Sequence, residues 1–109
     1  MGSVENKIAY ELIEKAKSTI GGTALTIAES EGLKISKGSV ETERTGYLEK
    51  LVEAFKRIIG PVAKNFAIQG AQAALAGFEK PEIDRELPNL PEWARPSVAA
   101  KLSGFFGEF

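Results

Sequence analysis

GPVAKNFAIQGAQAALAG, Gly60 to Gly77, is the stretch on which the fold turns. Alanine and glycine dominate it, and Lys64, Asn65, Gln69 and Gln72 are its clearly polar side chains. On a wheel of about 3.6 residues per turn, Ala63, Ala67, Gly70, Ala74 and Gly77 collect in one narrow stripe. Val62 and Phe66 border the stripe on one side. Phe78 borders it on the other, with Leu75 and Ile68 beyond. The helix expected from Pro61 to Phe78 therefore carries a shallow trough of small residues between bulky walls. Small side chains let two helix axes approach closely, which adds dispersion contacts. A glycine inside a helix costs roughly 1 kcal/mol relative to alanine, so Gly70 calls for a closely packed partner. Two partners fit: another helix of the same chain, or a helix of a second copy or another protein. A membrane span does not fit, because the uninterrupted apolar run falls far short of the ~20 residues a bilayer needs.

Upstream, TGYLEKLVEAFKRII (Thr45 to Ile59) places Leu48, Leu51, Val52, Phe55, Ile58 and Ile59 on steps of three and four. This is the clearest helical stripe in the chain, with Glu49, Lys50, Glu53, Lys56 and Arg57 on the wet face. Gly60-Pro61 separates or kinks the two helices. Nearer the N-terminus, Val4, Ile8, Ala9, Leu12, Ile13, Ala16 and Ile20 mark an amphipathic helix from about Val4 to Ile20. Ser3 is its expected N-cap, Glu5 suits its first turn, and Gly21-Gly22 ends it. A shorter helix from Thr23 to Glu31 follows, with Thr23 as cap, Gly32 as stop and Leu33 as the apolar contact of a Schellman ending. LKISKGSVET (Leu33 to Thr42) then alternates around Lys37-Gly38 and reads as a short hairpin near 33–41. Two strands are marginal alone, so the hairpin must lie on a helix or pair with another chain.

Downstream, EKPEIDRELPNLPEWARP (Glu79 to Pro96) gathers most of the chain's prolines among acidic residues. It reads as an extended arm with one short turn at Pro91 to Ala94, followed by a last short helix from Pro96. Trp93, Phe105, Phe106 and Phe109 follow one another along it. Large aromatics lose ~2 kcal/mol or more each when left in water, so the arm either folds back or reaches a neighbour. The expected organisation is a helical domain over 1–78 and an arm over 79–109. The fold class is mainly α: about four helices, a short β-hairpin and an extended proline-rich C-terminal arm.

Composition narrows the functions. The chain has 109 residues, with 14 basic and 15 acidic side chains and a net charge of -1. That balance lacks the basic excess of an obligate nucleic-acid binder. There is no cysteine and no histidine. Disulfides, thiol chemistry, Cys/His zinc sites and histidine acid–base catalysis are therefore excluded. The acid pairs Glu29/Glu31, Glu41/Glu43 and Asp84/Glu86 read as solvated charges. STIGGTALTIAE (Ser18 to Glu29) lacks both the P-loop and the dinucleotide-binding glycine spacing. The N-terminal residues lack the basic and apolar regions of a signal peptide, so the expected compartment is the cytoplasm.

The expected function is a non-enzymatic interaction or assembly module with no cofactor and no metal, whose partner is itself or another protein. Self-association would run through Ala63, Phe66, Ala67, Gly70, Ala74, Gly77 and Phe78 of the small-residue helix and Trp93, Phe105, Phe106 and Phe109 of the arm. A second reading is a small regulatory domain holding an apolar ligand between helices, lined by Leu51, Phe55 and Phe66. The third is a winged-helix-like DNA binder. It suffers from Glu29 and Glu31, which would face phosphates, and from the absence of base-reading side chains on the second helix.

Overall fold

The spacing of apolar residues at the N-terminus produces α1 (Ser3–Ile20), with Val4, Ile8, Ala9, Leu12, Ile13 and Ala16 fully buried along one face. The computed structural model describes residues 3–36, 39–42 and 45–94. Gly21 and Gly22 end α1, and α2 (Thr23–Ser30) follows. Thr23 lies inside α2, and no side chain caps that helix start, so the expected threonine cap is not used. Its end is a Schellman motif. The N–H of Leu33 donates to Ala28 O at 3.1 Å and that of Gly32 to Glu29 O at 3.0 Å. Gly32 has φ of 83°, the left-handed region, and Leu33 and Ala28 are both buried beside the turn. Gly32→Ala is expected to cost about 1–2 kcal/mol, read as a lower urea midpoint at unchanged slope.

The hairpin forms as β1 (Lys34–Ser36) antiparallel to β2 (Ser39–Glu41), with Ile35 opposite Val40. Its connection, Lys37-Gly38, lies outside the described residues. The two strands find their support within the chain: β2 packs on α1 and β1 on α2. Val40 is 1% exposed there.

Helix α3 (Leu48–Ile59) and helix α4 (Val62–Leu75) are separate elements. Gly60, with φ of 73°, breaks the chain between them, and Pro61 stands at the N-cap of α4. Helix α4 stops at Leu75, so Phe78 lies beyond it. Lys80–Glu86 forms a fifth helix, α5, rather than extended arm. Pro81 falls in its first turn, where a missing N–H is no loss. Glu79 and Glu82 make a reciprocal capping box, and Lys80 pairs with Asp84 at 3.0 Å one turn on. Two 3-10 turns follow, Leu87–Asn89 and Glu92–Ala94. The expected helix from Pro96, together with Phe105, Phe106 and Phe109, lies outside the described residues.

The most extensive pairing in the fold is α1 along α4, with α3 packed on α4 and α2 bridging α1 and α3. Ile83, Leu90, Trp93 and Ala94 are buried in the same core as the helices before them. The stretch from α5 to Ala94 therefore closes over the helices instead of standing apart.

Candidate functional site

The occupant of the trough is α1 of the same chain. Ala63, Ala67 and Ala71 are fully buried and Ala74 is 1% exposed. A Cβ built on Gly70 would sit 3.1 Å from both Glu11 Cβ and the backbone nitrogen of Leu12. Glycine allows that approach without displacement, and any side chain would press on α1. Ala63, Ala67, Gly70 and Ala74 are thereby covered and present no surface to a second copy. Gly77 lies past the helix end and is exposed, and a Cβ built on it would meet only Ala74 O, at 3.5 Å, so Ala71 takes its place in the stripe. Phe66 and Phe78 are half-buried walls packed on the core. Trp93 is 7% exposed and its turn lies on α4.

The proposed apolar pocket is filled. Leu51 and Phe55 are fully buried core side chains, and Phe66 sits half-buried at the edge. Two grooves flank α3, and neither is lined by these three. One, about 370 Å³, is bounded by Glu31, Glu49, Lys50, Glu53, Ala54 and Arg57. The other, about 170 Å³, runs between Glu49, Val52, Glu53, Lys56, Lys64 and Trp93. Both mix acids and bases on their walls.

At the far end of α3 the stripe outruns the core. Leu48, Leu51, Val52 and Phe55 are buried, yet Ile58 is 57% exposed. Among the described residues it is the one large hydrophobic side chain so exposed. Ile59, Val62 and Phe66 around the α3–α4 junction are half-buried.

The other end of α3 holds a pair of buried carboxylates. Glu86, the last residue of α5, accepts from the N–H of Val4 at 3.0 and 3.1 Å and from the N–H of Glu5 at 3.2 Å. It caps α1 from a distant part of the chain; the side chain of Ser3, the cap expected from the sequence, lies outside the described residues. Glu5 is fully buried, and its Oε2 accepts from the N–H of Tyr47, the N-cap of α3, at 2.9 Å. The Tyr47 hydroxyl donates to Asn6 Oδ1 beside it. Glu5 Oε1 has no hydrogen-bond partner. Burial is the largest influence on Glu5 and pushes its pKa up. The backbone N–H groups of Gly46, Tyr47 and Leu48 pull it down, the neighbouring Glu86 pushes it up again, and the net is a raised value. The solvated reading of the Asp84/Glu86 pair thus holds for Asp84, which is exposed and paired with Lys80, and fails for Glu86, which is 8% exposed.

Sequence periodicity contained a signal for this pair. Glu5 stands four before Ala9 and seven before Leu12, on the buried stripe of α1. Glu86 stands three after Ile83 and four before Leu90, on the buried side of its segment.

Comparison with protein-family models, with curated proteins and with solved structures finds no match to this chain. Among the described residues, no three acids gather into a group that could hold a metal ion, and no helix is long and apolar enough to cross a membrane. The chemical features in hand are two charge-mixed grooves, one apolar end and one buried carboxylate pair.

Proposed function

We propose that the chain is a non-enzymatic assembly module that associates with a second copy of itself through the α3–α4 end. The observation that supports this is Ile58, 57% exposed at the end of a stripe whose first four members are buried. Covering such a side chain is worth about 1.5–3 kcal/mol, and half-buried Ile59, Val62 and Phe66 extend the apolar area. The small-residue helix is occupied by α1 and so contributes to the core of each copy rather than to the contact. Phe105, Phe106 and Phe109, which lie outside the described residues, are aromatic anchors of the kind that dominate interfaces. The occupant we assign to the end of one copy is this aromatic segment of the other.

Light scattering over a wide concentration range tests the reading. The mass of the full chain is expected to rise with concentration. Ile58→Glu is expected to hold it at the monomer mass with little change in thermal stability, because Ile58 contributes little to the core. Phe105→Ser with Phe106→Ser is expected to do the same. A full chain that stays monomeric throughout would remove self-association as its function.

A further inference from the structure

Glu5 and Glu86 are the two buried charged side chains among the described residues, and they meet where three elements begin or end: the start of α1, the start of α3 and the end of α5. Each carboxylate sits at a helix N-terminus, where aligned N–H groups favour negative charge. Glu86 serves α1 and Glu5 serves α3. The arrangement is unequal. Glu86 engages two backbone N–H groups with its two oxygens, while one oxygen of Glu5 is buried with no partner. An unpaired carboxylate oxygen in a closed site is costly when charged and far less so when it carries a proton.

We propose that Glu5 and Glu86 form a proton-operated latch: a proton on Glu5 lets Glu86 hold α5 and the turns after it against the start of α1, and loss of that proton places two negative charges side by side and loosens them. The part released carries Ile83, Leu90 and Trp93, all buried in the closed state. The latch therefore governs exposure of an apolar face. It stands independently of self-association.

Among the described residues, the other charged side chains on the elements around the pair are exposed, half-buried or engaged elsewhere. On α1, Lys7 is engaged by Glu11 at 3.3 Å and lies 5.1 Å from the Tyr10 ring centre. On α3, Glu49 is exposed, and Tyr47 presents its hydroxyl to Asn6. On α5, Lys80 pairs with Asp84, Arg85 Nε donates to Pro81 O, and Glu82 is held in the capping box. On the hairpin, Lys34 and Glu41 are exposed and opposite one another. Glu43 and Arg44 lie outside the described residues. Among the described residues, the charge acting on Glu5 is that of Glu86.

The direction of the pH effect follows from the raised Glu5 value. Between the ordinary glutamate value of 4.5 and its own raised one, Glu5 binds more proton in the folded than in the unfolded chain. The closed state is favoured on the acidic side of that window and weakens as pH rises through it.

Trp93 is the chain's one tryptophan and reports the latch directly. Its emission in the full chain is expected to move to longer wavelength as pH is raised from 4.5 through neutrality, with the far-UV helix signal unchanged. Glu5→Gln, permanently neutral there, is expected to keep the short-wavelength emission at every pH. A flat wild-type response, a transition that persists in Glu5→Gln, or a helix signal that falls in step with Trp93 would each overturn the latch. Should Glu5→Gln fail to fold, the carboxyl resonance of Glu5 decides. Its titration midpoint is expected to fall in Glu86→Gln, and an unmoved midpoint shows that the two groups are not coupled.

Discussion

Replacing Gly70 by leucine is expected to destabilise the chain by about 3 kcal/mol, the upper end of the usual cost of overpacking a core. The reason is the material that a side chain would meet. A Cβ at position 70 already lies 3.1 Å from Glu11 Cβ and 3.1 Å from the nitrogen of Leu12. Both belong to the body of α1, which cannot swing aside as the tip of a lysine could. Leucine would have to lift α1 from α4 along the most extensive helix pairing in the fold. Alanine separates two effects of opposite sign. It gains roughly 1 kcal/mol of helix propensity over glycine and asks α1 to yield by a few tenths of an ångström. Gly70→Ala is therefore expected to stay within about 1 kcal/mol of the wild type, the propensity gain offsetting the squeeze. Urea unfolding of the three proteins side by side gives the comparison. Equal stability of the leucine and alanine variants would mean that α1 does not lie in the trough.

The trough shows how far the sequence could be read. The wheel located the small-residue stripe and the need for a close partner at Gly70, because both follow from local geometry. It could not identify the partner. A helix of the same chain and a helix of another offer the same surface to a glycine. The stripe of α3 was equally legible, yet Ile58 was expected to be buried with the rest. Periodicity gives the direction of a face and not the depth of the core behind it. Helix α5 was missed for a different reason. Prolines at 81, 88 and 91 suggested an extended chain, whereas Pro81 falls where a helix tolerates it and the Glu79–Glu82 box supplies the start. The carboxylate pair lay furthest from view. Glu86 and Val4 are 82 residues apart, and only the closing of α5 onto α1 brings them together.

That closing makes opposite forecasts for the two acids. Glu86→Ala is expected to cost about 2 kcal/mol, because the N–H groups of Val4 and Glu5 lose charge-assisted bonds usually worth about 1.5–3 kcal/mol, with some relief of repulsion on Glu5 in return. Glu86→Gln keeps one acceptor oxygen and should lose distinctly less. Glu5→Gln, by contrast, is expected to leave stability unchanged or raise it at neutral pH. It keeps an oxygen for the Tyr47 N–H, and it removes both the buried charge with the unpaired oxygen and the repulsion from Glu86. The advantage of Glu5→Gln should shrink in mild acid, where the wild-type Glu5 carries its own proton and the two proteins become alike. Urea unfolding of the wild type and these variants at neutral and mildly acidic pH measures all of this. Should Glu5→Gln prove the most damaging substitution at neutral pH, the ionised Glu5 would be a stabilising cap on α3. Burial would then not be the dominant influence on it, and the asymmetry between the two carboxylates would disappear.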